Sequence, residues 1–142
     1  MMLAGRPKLV GIAAAVASAF ALVPRASANA VDDCNQMQKL ELRILGCTQI
    51  IDSADASPDN VAVAYHLRGA ACQDKGDLER AFMDYTEALR RNGNFTPAIA
   101  GQALVLDEWN MACQQSRDPE RQRRACAARD RADQILDSAR KK

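Results

Sequence analysis

Chemistry in this 142-residue chain would have to come from a short set of side chains. They are five cysteines, the single histidine His66, the single tryptophan Trp109 and the adjacent carboxylates Asp107 and Glu108. The cysteines fall at Cys34, Cys47, Cys72, Cys113 and Cys126, with the same separation of 13 from Cys34 to Cys47 and from Cys113 to Cys126. None forms a C-x-x-C pair, so a dithiol redox centre has no basis here. A zinc site needs clustered Cys and His ligands, and His66 is remote in spacing from any cysteine pair. Asp107 and Glu108 are neighbours on one helix and therefore point apart. No Gly-rich phosphate loop is present. Structural disulfides are the reading left for the cysteines, with Cys34, Cys47, Cys113 and Cys126 as candidates, although spacing alone does not fix the pairing. A bridge closing a loop of that size contributes on the order of 3 kcal/mol.

Disulfides require an oxidising compartment, and the N-terminus supplies a route to one. Arg6 and Lys8 precede an uncharged apolar run, Leu9 to Val23; Pro24 ends it, and small residues follow at Ala28 and Ala30. This is the pattern of a secretory signal, predicting residues 1–30 as a cleaved segment with the cut after Ala30. The run is shorter than the roughly 20 apolar residues needed to span a bilayer. Cys34 stands behind Val31-Asp32-Asp33 rather than directly after the run, which argues against a lipid anchor. The expected localisation is export, with the periplasm as the first expectation and secretion as the alternative, and no stable membrane insertion after cleavage.

Losing Arg6, Lys8 and Arg25 takes the formal charge from +1 to −2. The charge is uneven. Residues 117–142 hold nine basic and five acidic side chains, and residues 31–116 hold seven and thirteen. Export and an acidic body disfavour nucleic-acid binding. The last helix is rich in alanine where a membrane-seated helix needs large apolar residues.

The elements that must position these residues are helices. Period-two strand patterns are absent, and Ala, Leu, Arg, Glu and Gln dominate. Lys39 to Ala54 reads as one helix, with Leu40, Ile44, Cys47, Ile51 and Ala54 on one face. Ser57-Pro58 starts a second, ending near Asp74. Asp77 caps a third that runs to about Arg91. Thr96-Pro97 starts a fourth ending near Ser116, and Asp118-Pro119 a fifth ending near Arg140. The short turns between them predict antiparallel hairpins.

The residues Tyr65-x-x-Arg68-Gly69-x-x-Cys72 and Ala81-x-x-x-Tyr85-x-x-Ala88 carry a further pattern. Small residues at fixed distances from tyrosines suit places where helix backbones come close. The stretch resembles the tetratricopeptide repeat, best matched over about residues 62–95. Arg68, Cys72 and Gly93 stand where that family has leucine, tyrosine and proline. Echoes at the same 34-residue step occur before it, at Cys47, Ile51 and Ala54, and after it, at Ile99, Ala103 and Leu106. The segment from Cys34 to Leu89 is also similar to small exported tetratricopeptide proteins of Gram-negative bacteria. The expectation is an all-α domain over residues 31–142, its hairpins stacked as a short solenoid.

The resemblance implies a division of labour. Gly69 and Ala81 would let the two helices of one hairpin cross closely. Ala88 would admit the next hairpin, Tyr65 and Tyr85 would fill wider gaps, and Cys72 would occupy a core slot. The first helices of successive repeats would line a groove. His66, Ala70, Gln73 and Asp74 would face it from one repeat, and Ala100, Leu104, Asp107 and Glu108 from the next. Such a groove is acidic and fits a protein or peptide partner with basic or neutral side chains. The implied function is a non-enzymatic interaction module of the cell envelope, without cofactor or metal. The rival expectations are an accessory enzyme or ligand carrier built around Trp109 and the Asp107–Glu108 pair, and a structural subunit of an envelope assembly.

Overall fold

The computed structural model describes residues 28–141; of the expected signal segment 1–30, only Ala28, Asn29 and Ala30 fall among them. Six helices follow one another: α1 (Ala28–Cys34), α2 (Leu40–Ile51), α3 (Pro58–Asp74), α4 (Leu78–Arg91), α5 (Thr96–Gln115) and α6 (Pro119–Arg140). No strand occurs among the described residues. Each helix packs on the next in chain order. The first helices of the three hairpins also touch in succession, α1 on α3 and α3 on α5. The result is an all-α stack of antiparallel hairpins, α1–α2, α3–α4 and α5–α6.

Local chemistry sets the boundaries. Ser57 Oγ accepts from the Asn60 N–H at 3.2 Å ahead of Pro58, satisfying one of the free donors at a helix start. Asp77 caps α4 through Arg80 N–H at 3.3 Å, and Asp118 caps α6 through Glu120 N–H at 2.9 Å. Between α3 and α4 the chain reverses through Gly76 at φ 79°, a left-handed conformation open to glycine. No side-chain cap starts α5, whose first helical residues are Thr96 and Pro97.

Two departures from the sequence reading are instructive. The segment ahead of α2 is itself a helix, α1, pressed on α2 where Gly46 has no side chain. And α2 stops at Ile51 rather than Ala54, which is exposed. The chain must leave helical geometry to reach the Ser57 cap, so the echo of Ala88 at Ala54 does not pack. The later echo also slips. Ile99 and Ala103 are exposed, while Ala98, Gly101, Gln102, Val105, Trp109 and Cys113 form the buried face of α5.

The core is continuous through the middle of the stack. Cys72, Ala81, Phe82, Tyr85, Ala88, Ala98, Val105, Trp109, Ala128 and Ala132 form one buried cluster, with Tyr65 packed at its edge. A smaller cluster gathers Cys34, Cys47 and Ala64 under Ile50, Ile51 and Leu67. Small residues dominate both, which allows short distances between helix axes. Both candidate disulfides are formed, Cys34–Cys47 and Cys113–Cys126. Each ties the two helices of an outer hairpin. Cys72 is the one free cysteine among the described residues. It is buried, and burial, reinforced by Asp84, pushes its thiol pKa up. A protonated, enclosed thiol is a packing residue.

The predicted crossing of α3 and α4 is present, with different partners. A Cβ on Gly69 would stand 3.0 Å from the Tyr85 ring and 3.2 Å from Asp84 Cβ. Gly69 thus makes room for Tyr85 and Asp84. Gly101 of α5 opens onto the same ring, its Cβ position only 2.5 Å from Tyr85 Cζ. Tyr85 therefore passes between two glycines of neighbouring hairpins.

Candidate functional site

Arg68, a departure from the repeat pattern, carries the strongest polar contact of the centre. Its Nε donates to Asp84 Oδ2 at 2.8 Å, its Nη2 to Asp84 Oδ1 at 2.7 Å and its Nη1 to Thr48 Oγ1 at 3.0 Å. Asp84 is 7% exposed. This fork–carboxylate pair joins α2, α3 and α4, and the bond to Asp84 raises the Arg68 pKa further. Nothing in the sequence pattern announces it: Asp84 is an ordinary acid in a charged helix until the fold buries it. Its role is architectural.

The expected groove residues sort into two groups. In α3, His66 and Gln73 are already engaged. The His66 ring lies 5.7 Å from the Tyr85 ring and edge-on to Phe95 at 5.5 Å. Its Nδ1 is buried without a hydrogen-bond partner. Burial, and then the Arg43 charge, lower its pKa, so it is neutral at pH 7. Gln73 Oε1 accepts the Tyr85 hydroxyl proton at 2.9 Å. Arg43, on α2, is 9% exposed and its Nε is also unpartnered. Burial, reinforced by the nearby Asp74 charge, pushes the Tyr85 hydroxyl pKa up to about 12.

Ala70 and Asp74 belong to a different strip. Val63, Leu67, Ala70 and Asp74 follow the spacing i, i+4, i+7, i+11, which is one line along a helix. Ala100, Leu104, Asp107 and Met111 of α5 repeat that spacing. None of the eight is buried, and Val63, Leu104 and Met111 are exposed large apolar residues. Each strip places one exposed acid, Asp74 or Asp107, among apolar side chains. Beside the α3 strip, Val31, Cys34, Asn35, Ile50, Val63 and Leu67 border a small hollow of about 250 Å³.

Glu108 parts from this group. Half-buried, it turns towards α6 and lines a cleft of about 560 Å³ with Asp77, Glu79, Trp109, Arg121 and Arg124. The floor is Trp109, 6% exposed and packed on Phe82 at 5.4 Å between ring centroids. Asp107 is not among the residues lining the cleft. The Asp107–Glu108 pair thus does not converge on one point, and Trp109 is chiefly a core residue. The rim is mixed in sign, with Asp77, Glu79 and Glu108 around Arg121 and Arg124. An ion pair between Glu79 and Arg131 joins α4 to α6 beside it.

Among the described residues no three His, Cys, Asp or Glu side chains are grouped to hold a metal ion. None of the described helices is long and apolar enough to cross a membrane. Compared with known protein families, with curated proteins and with solved structures, the chain matches none.

Proposed function

We propose that this chain is an exported, non-enzymatic interaction module of the tetratricopeptide type, binding a peptide segment of a partner across the α3–α5 face. The observation that carries the reading is the pair of matching strips. Two helices in contact each carry an i, i+4, i+7, i+11 line with no fully buried member, Leu67 alone also packing on the Cys34–Cys47 cluster, and apolar residues dominate both lines. Lines of unburied apolar side chains on packed helices support an interaction surface. Asp74 and Asp107 add negative charge, which selects a partner with basic side chains between apolar anchors. Export, to the periplasm, is supported by the apolar N-terminal run and by the two disulfides.

Selection of a displayed peptide library on the mature chain tests this. Enriched peptides should carry apolar residues spaced with Lys or Arg. The double variant Asp74→Lys/Asp107→Lys, and separately Leu104→Asp, should weaken them at least tenfold while leaving the melting temperature unchanged, since all three sites are exposed. Enriched peptides that bind all variants equally remove this face as the site. A second reading, a small-ligand carrier, is favoured by the cleft over Trp109. Quenching of Trp109 fluorescence by a metabolite, with no peptide enriched, would move the function there.

A further inference from the structure

We propose that the precursor is cut between Ala28 and Asn29, so that the mature chain retains Ala30 as a structural residue of α1. The proposal rests on the export reading. Two triplets satisfy the small-x-small requirement of a signal peptidase: Ala26-Ser27-Ala28 and Ala28-Asn29-Ala30. From sequence the cut is expected at the second, after Ala30. The fold favours the first. Ala30 is fully buried, as are Cys34 and Cys47 beside it. A Cβ on Gly46 would stand 2.6 Å from each of the Ala30 carbonyl oxygen, Asp33 Cβ and Cys34 N. The α1 backbone is therefore seated on α2 at the one position where α2 lacks a side chain, and Ala30 supplies part of that seat.

Cutting after Ala30 would remove Ala30's share of this contact, leaving Asp33 and Cys34 on Gly46, and would reduce α1 from Ala28–Cys34 to the four residues from Val31 to Cys34, scarcely more than one turn. Cutting after Ala28 costs the helix its first residue only. The reaction is hydrolysis by a membrane-bound signal peptidase. Water adds across the Ala28–Asn29 amide, leaving a carboxylate on Ala28 and an amine on Asn29.

The test is to express the full chain in a Gram-negative host and read the N-terminus of the exported product by sequencing and intact mass. Asn29 is the expected first residue. Val31 as first residue would overturn the placement and leave export standing. A product that keeps Leu9 to Val23 would overturn both. Two variants separate the sites without depending on folding, because processing can be read on denatured protein. Ala26→Gln should block the cut, and Ala30→Gln should still give Asn29. The opposite pattern would assign the cut to Ala30.

Discussion

The central hairpin and the two outer hairpins solve the same problem by different means. Between α3 and α4 there is no disulfide. The buried Tyr85 and Phe82 rings and the Arg68–Asp84 pair hold that hairpin, which has a neighbour on both sides. Among the described residues the α1–α2 and α5–α6 hairpins each have a neighbouring hairpin on one side only, and each carries one disulfide at the same sequence separation. A hairpin in a stack cannot bury its apolar face alone. Interior packing serves where cover exists on both sides, and a covalent tie serves where it does not.

The largest expected effect lies in the centre. Replacing Asp84 with alanine would leave the Arg68 guanidinium largely buried and without its counter-charge. Breaking a buried pair in this way costs about 3–5 kcal/mol, a large part of a small domain's stability. Replacing both partners, Arg68→Leu with Asp84→Ala, should recover much of that loss, since leucine at 68 has no charge to strand. Chemical denaturation of the two variants measures it. Equal losses in both would mean that the pair acts through its shape and not its charge, and the account of the centre would fail.

Removing the disulfides should act more locally. Cys34→Ser/Cys47→Ser and Cys113→Ser/Cys126→Ser should each cost about 3 kcal/mol in the chain-entropy estimate. Hydrogen exchange should show the loss in α1 and α6 first, with α3 and α4 still protected. If protection in α3 and α4 falls as far as at the ends, the division between packed centre and tied ends is wrong.

Much of this division could be read in the sequence, and the part that could not has identifiable causes. Breakers and caps at Ser57-Pro58, Gly76-Asp77 and Asp118-Pro119 placed helix starts to within a residue, because a cap is a local event. The four disulfide candidates were also legible, from equal spacing in a chain whose N-terminal pattern leads one to expect export. Helix α1 was not, since seven residues carry too little period to reveal a face. The register of α5 departs from the repeat step: Ala103 stands 34 residues after Gly69, yet Gly101 is the residue that meets Tyr85. A repeat step fixes equivalent positions only while the crossing geometry repeats. The groove set divided for a related reason. His66 and Gln73 are turned to Tyr85, Glu108 turns to the α6 side, and Ala70, Asp74, Ala100, Leu104 and Asp107 remain on the outer lines.

Gly101 gives a smaller effect and the sharpest probe, because it stands where the packed centre meets a tied end. An alanine there would bring its Cβ to 2.5 Å from Tyr85 Cζ, a distance at which the ring must move. Overpacking of this kind costs about 1–3 kcal/mol. Gly69→Ala meets the same ring at 3.0 Å and should cost less. If the Tyr85 ring is the obstacle, then Tyr85→Leu, destabilising by itself, should make Gly101→Ala nearly free. The two changes would then be strongly non-additive in a double-mutant cycle. Additive losses would mean that Gly101 is required for something other than the ring, and that the centre and the last hairpin do not meet through Tyr85.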